Sequence, residues 1–309
     1  MSQQNRIQLL AWLVLLVITA SCKNNDAPTP DDKPEPVPDS EVITIPVVVH
    51  VVNYAPAPFE LSDEKIHSQF VVLNEDFRAK NTGLSQVPDE FKDRIADVGI
   101  EFKLATVDPH GLPTTGILRN SSDVTGFDGK DITGQVPIED LKLFFTAQGG
   151  QDAWPRDQYL NIWVADLSDR HGNLGLGGYA QFPDADPRID GVVIDPRVFG
   201  TVAPLETNFD LGRTATHEIG HWLHLYHIYG EDENCENGDL VDDTPTQYAQ
   251  YANTPSHPQS SCGSNDMFMN FMDRVYDGSM HMFSKGQKKR MRANFDPDGL
   301  RRQLYLNSK

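Results

Sequence analysis

Four of the 10 histidines in this chain fall between positions 217 and 227, in the run Thr214-Ala-Thr-His217-Glu218-Ile-Gly-His221-Trp-Leu-His224-Leu-Tyr-His227. On a helix, His217 and His221 stand four residues apart, so their rings leave one face a turn apart. Two imidazoles so placed can share a zinc ion at about 2.0–2.1 Å. Any fold adopted by the chain must keep this stretch helical, with that face turned to a cavity. Glu218, beside the first histidine, cannot easily bind the same metal but can reach a water bound to it. His227 adds a third nitrogen and leaves a fourth position for water, which marks a catalytic rather than a structural centre. His-Glu-x-x-His alone recurs by chance, whereas a third histidine at this spacing makes coincidence a poor account. A rival ligand is His224. If the helix continued, it would share a face with His217. His50, His67, His110, His171, His257 and His281 read as core or surface residues.

The flanks bound the compartment. Residues 7–20 form an apolar run after Arg6, too short for a comfortable membrane span but suited to a secretory signal. Ala20 and Ser21 precede Cys22 as in the cleavage box of bacterial lipoproteins, although Thr19 stands where Leu is usual. Residues 1–21 are thus expected to be a signal peptide, with Cys22 as the lipidation site; a discarded thiol is the alternative. Residues 22–41, dense in proline and acid, cannot build a core and read as a tether, leaving no room for a folded propeptide unless it is very short. The globular domain is expected over 42–309, exported to a bacterial cell-envelope surface or released. A net charge of −19 argues against a nucleic-acid partner. Membrane contact is expected only through the lipid, and the domain is expected to be a monomer.

Within the domain, periodicity predicts a buried strand over 42–52 and a helix capped by Ser62 with Ile66, Phe70, Leu73 and Phe77 on its inner face. Strands follow over 99–107, 159–167 and 190–194, with a glycine-rich edge strand at 175–182. A short helix is predicted over 138–147, and Asp210 as cap of the helix through His221. Ser284 and Gln287 form a capping box for a last helix carrying Met291 and Phe295. The fold class is α+β.

Several stretches together resemble the metzincin metallopeptidases, and more narrowly the pappalysin group: the histidine run, Tyr159-Leu-Asn-Ile-Trp-Val, Gly178-Tyr-Ala-Gln-Phe-Pro, Asp190-Gly-Val-Val-Ile, Gly238-Asp-Leu-Val-Asp-Asp-Thr-Pro, and Asn270-Phe-Met-Asp. The resemblance runs from about Ile45 to Met291. It implies a catalytic domain in two parts around a cleft: a twisted, mixed but mostly parallel sheet with backing and active-site helices, and an irregular C-terminal part. It also implies zinc as cofactor, an extended polypeptide substrate paired to the edge strand, and Met272 as the floor of a tight turn under the metal. The implied activity is that of a zinc endopeptidase with Glu218 as general base.

The chain departs from that pattern in places. His224 stands where glycine is usual. Arg274 stands where a tyrosine near the substrate carbonyl is usual, which makes Arg274 or Tyr276 the oxyanion candidate. Asp277 is a candidate for binding Arg or Lys in the primed pocket, with an exposed structural role as the plainer account. With Cys22 lipidated or removed, Cys235 and Cys262 can pair only with each other, and a disulfide is the default after export. The resemblance implies the same bridge; a second family bridge is missing, since Ser279 occupies its position. Seven acidic residues lie between Glu231 and Asp243. There the resemblance implies calcium at Asp239, the Asp242 carbonyl and Thr244, while a solvated loop is the ordinary account. Two other functional readings stand beside the peptidase: a decayed, surface-displayed binding module, and a thermolysin-like enzyme with a downstream Glu as third ligand. Intact Glu218 argues against the first, and the loop-like sequence after His227 against the second.

Overall fold

The computed structural model describes residues 35–309, apart from 57, 60, 125–126, 128–136, 169–173 and 233. The signal segment, Cys22, the tether up to residue 34 and His171 lie outside the described residues. Among the described residues no helix is long and apolar enough to cross a membrane.

Valine-rich β1 (Ile43–Tyr54) and fully buried β4 (Leu160–Ala165) pair in parallel at the centre of one sheet. Sequences apolar on both faces suit a parallel strand covered on both sides. The order is β2-β1-β4-β6-β5, with β2 (Ile100–Leu104), β5 (Gly178–Ala180) and β6 (Val192–Ile194). β2 pairs with the first half of β1; β3 (Ile117–Ser122), which periodicity does not predict, takes the second half. Only β5 runs antiparallel, and the predicted edge strand is present at the end of the strand order.

Helix α1 (Asp63–Phe77) starts where Ser62 accepts the Lys65 amide, and its predicted face is buried. It packs beside α2 (Arg213–Trp222) on one face of the sheet. On the other face, the helix predicted over 138–147 is instead three 3-10 turns, Ile138–Asp140, Lys142–Phe144 and Thr146–Gln148. Leu141, Leu143 and Phe144 are buried there with Trp163, and short separate turns let these closely spaced residues all face inward, which one α-helix would not.

Three other expectations are corrected. The α2 cap is Gly212 in the left-handed region (φ 71°), not Asp210; the Leu211 and Arg213 amides on either side of it are met by the distant Asp277 carboxylate. α3 (Lys285–Ala293) has the predicted capping box but is not the last helix, since α4 (Arg302–Asn307) follows. The packed domain starts before residue 42. Val37 is buried, Asp39 meets Lys288, and the Pro38 carbonyl accepts from Arg292. Those partners lie on a helix about 250 residues away, which local composition cannot register.

The segment between α2 and α3 is irregular, with one 3-10 turn at Asp277–Ser279 among its described residues. Cys235 and Cys262 are joined across 27 residues. Closing such a loop removes about 3–4 kcal/mol of chain entropy from the unfolded state.

Candidate active site

Helix α2 ends at Trp222, and the chain then turns through His224 at φ 76°. A histidine enters this region at a cost of roughly 1–2 kcal/mol against glycine. The turn separates the two rival histidines. It carries His224 away from the cluster, to lie beside the paired Phe182 and Tyr226 rings, and brings His227 into it. His221 Nε2 lies 3.1 Å from His217 Nε2 and 3.2 Å from His227 Nε2. Three ligands at tetrahedral zinc distances would stand about 3.3 Å apart.

Each ring is oriented from behind. His217 Nδ1 is 2.7 Å from the Phe271 carbonyl, His221 Nδ1 is 2.7 Å from the Leu225 carbonyl, and His227 Nδ1 is 2.9 Å from Glu231 Oε1. With those Nδ1 protons directed outward, three Nε2 lone pairs aim at one point, an arrangement that repels itself unless a cation sits among them. Burial, followed by the neighbouring imidazoles, holds His217 well below the ordinary histidine range and His221 at about 3. Neutral imidazoles are what a metal requires. The residues fit a zinc ion, and among the described residues this is the one cluster of its kind.

Close packing sets the floor and wall. At Gly220 an added Cβ would lie 2.4 Å from Met272 Sδ, so only glycine admits the methionine against α2. Asn270 Oδ1 accepts the Met272 amide and the Met272 carbonyl accepts from Ile228, which ties the turn to the segment carrying His227. At Gly178 on β5, a Cβ would lie 3.1 Å from Glu218 Cγ. The Glu218 carboxylate accepts no hydrogen bond from the described residues; burial pushes it up to about 8, with Arg274 opposing.

A cleft of about 800 Å³ lies over the cluster, bordered by β5, Glu218, Arg274 and Asp277. Arg274 Nη2 is 3.4 Å from His227 Nε2, whereas Tyr276 packs edge-on against Phe209 and does not line the cleft. Asp277 is not an exposed aspartate but is 1% exposed. Its Oδ2 accepts the Leu211 and Arg213 amides, and its Oδ1 is buried without a partner. Burial pushes this carboxyl up to about 6, against the pull of the two amides.

The acidic loop is only partly assembled for a cation. Thr244 Oγ1 is 2.6 Å from Asp239 Oδ1, while Asp239 Oδ2 is buried without a partner and Asp242 is exposed. Burial pushes Asp239 up to about 7, opposed by the Thr244 hydroxyl.

The family model described as Pregnancy-associated plasma protein-A, Peptidase M43, matches residues 146–296, which span the edge strand, the histidine cluster and the turn at Met272. An extracellular metalloprotease of Arthroderma gypseum is 30% identical over 259 residues, 81% of this chain and 71% of that protein. The chain belongs to the pappalysin family. An extracellular metalloprotease of Arthroderma benhamiae is 42% identical over 138 residues, and that match spans about half (49%) of the relative's length. Among solved structures, mature mirolysin of Tannerella forsythia in complex with a cleaved peptide matches with a TM-score of 0.77 and 42% identity, over 87% of this chain and 97% of that one. Tannerella forsythia promirolysin matches at the same TM-score and identity over 86% of its length. The metzincin fold implied by the sequence is thus the fold of this pappalysin, and the family implies zinc.

Sequence reasoning passed over several residues that serve the cluster. Glu231 stands four positions after His227, where the acidic run masks its relation to the ring. Asn294 and Arg301, which donate to the Leu223 and Trp222 carbonyls at the end of α2, left no local signal. Asp190, bound to Trp222 Nε1 and Arg301, was legible only as part of a strand.

Proposed function

We propose that this pappalysin is an exported zinc endopeptidase for extended polypeptides, with the metal on His217, His221 and His227 and Glu218 as general base. The convergence of three outward-protonated imidazoles beside an unpaired carboxylate carries this proposal. Zinc in that position supplies Lewis acidity to the water and to the scissile carbonyl. Glu218, buried and without a competing donor, takes the proton of the attacking water and passes it to the leaving amine. Arg274, at the cleft wall, stabilises the oxyanion with its guanidinium, a task for which Tyr276 is displaced. β5, last in the strand order and bordering the cleft, receives the substrate backbone as an added strand. Extracellular relatives and the apolar run at 7–20 support export, with Cys22 as the proposed lipid anchor.

Zinc content and proteolysis measured side by side on wild type, Glu218→Ala and His227→Ala test the assignment. Wild type should bind zinc and cleave; His227→Ala should lose both. Zinc uptake without turnover in the wild type would instead favour the binding module.

Asp277 is proposed to select Arg or Lys just after the scissile bond, because it borders the cleft and its Oδ1 has no hydrogen-bond partner among the described residues. A carboxyl at about 6 is ionised above that pH and neutral below it. Cleavage before Arg, relative to cleavage before Leu, should therefore fall when pH drops from 8 to 5 and lose its pH dependence in Asp277→Asn. A flat ratio in the wild type would exclude the role.

Calcium is proposed at Asp239 and Thr244, with the Asp242 carbonyl. The folded Asp239 carboxyl lies near 7 against 3.8 unfolded, so the metal-free fold loses stability as pH rises through that window. A cation on the carboxylate removes the penalty. Millimolar calcium should raise Tm at pH 8 and leave it unchanged at pH 5, and Asp239→Asn should abolish the difference. No calcium shift at pH 8 would remove the proposal.

A further inference from the structure

The three imidazoles are not anchored alike. His217 and His221 project from a buried helix and give Nδ1–H to neutral backbone carbonyls. His227 stands on a loop, and its only hydrogen-bond acceptor at Nδ1 among the described residues is the Glu231 carboxylate, 2.9 Å away. A tight turn makes this contact. The Gly230 amide donates to the His227 carbonyl at 2.9 Å, and Gly230 lies at φ 68°, where a Cβ would stand 2.4 Å from the Asn237 carbonyl. The chain therefore doubles back and sets the fourth residue beside the ring. Tyr229 stacks on the ring face at 4.8 Å and 10°. On the cleft side, Arg274 holds a permanent cation 3.4 Å from Nε2, which opposes gathering a metal ion there.

We propose that Glu231 is the positioning residue of the metal centre: by accepting Nδ1–H from His227 it fixes the tautomer and ring orientation that present the Nε2 lone pair to zinc, and its negative charge offsets Arg274. This rests on the proposed zinc-peptidase function. A neutral imidazole carries one N–H, so a ring that loses its acceptor at Nδ1 can place the proton on Nε2 and present a donor to the metal. A carboxylate draws on that proton more strongly than a carbonyl and makes Nε2 the better donor. The loop-borne ligand, lacking a helix to hold it, is the one that receives the charged partner. The ordinary account is a half-exposed surface ion pair, which contributes little to anything; the Glu231 side chain is 55% exposed.

Competition with a chromophoric zinc chelator, on the full chain, separates the two. Glu231→Ala should weaken zinc binding about 10- to 100-fold. Glu231→Gln keeps an acceptor oxygen without the charge and should recover part of the loss. Glu236→Ala, an exposed acid on the same loop, should bind zinc as wild type does. At saturating zinc, Glu231→Ala should lower kcat while KM holds, and the metal-free Tm should be the same in all four proteins. Wild-type zinc affinity in Glu231→Ala, or equal weakening in Glu231→Ala and Glu236→Ala, would overturn the inference and leave the peptidase standing. A wild-type protein that takes up no zinc would overturn both.

Discussion

Glu218→Ala should retain its zinc and lose about 10²- to 10⁴-fold in kcat, the usual worth of a general acid–base group. The two readouts part because Glu218 lies beside the imidazoles without being one of the three converging donors. Its burial makes the effect large. A carboxyl pushed up to about 8 by desolvation has a strong affinity for the water proton. The fold should tolerate the change, because Glu218 hydrogen-bonds nothing that would be orphaned. Metal content by elemental analysis and turnover of a denatured protein substrate measure the two quantities. Turnover within tenfold of wild type would show that another group moves the proton. Loss of zinc would show that the carboxylate is a ligand.

Asp190→Ala should cost about 3–5 kcal/mol of stability, the penalty for stripping one partner from a buried ion pair. Asp190 is fully buried; it accepts from Trp222 Nε1 at 2.8 Å and from Arg301 Nη1 at 3.0 Å, and Arg156 Nη1 lies 3.4 Å away. Arg301 is equally buried and lies flat on the Trp222 ring, 3.6 Å from its centroid, while Nε donates to the Trp222 carbonyl. Without Asp190, that guanidinium keeps its charge in a dry interior with only carbonyl and ring contacts. The C-terminal end of α2, where a cation favours the helix dipole, would loosen with it. Urea denaturation of the metal-loaded protein should show the loss as a lower midpoint. Replacing Asp190 and Arg301 together by apolar residues should cost less than the sum of the single changes. Additive losses would mean that the pair does not act as a unit.

The element pattern was largely legible. β1, β4 and α1 announce themselves because their burial is periodic along the chain, and Ser62 and Ser284 cap locally. The misplaced features share one cause. β3 has a mixed exposure pattern and exists because β1 offers it an edge; the 138–148 segment has helical spacing, but a tryptophan from β4 sets its shape. The first amide of α2 is met by Asp277, more than sixty residues on, and Pro38, next to the first packed residue Val37, is held by Arg292 of α3.

At the candidate site the division is sharper. The ligand set, the base and the methionine floor are short-range statements: spacing on one helix, one turn, and the absence of a Cβ at Gly220. They can be read in order along the chain. That His227 rather than His224 joins His217 and His221 needed a backbone angle. The burial of Asp277, the separation of Arg274 from Tyr276, and the contact of Glu231 with a ligand needed distances between residues that the sequence only orders. Local spacing follows from helix geometry, which every such chain shares. Burial and electrostatic partnership follow from which distant segments exclude water together, and that is a property of the packed molecule.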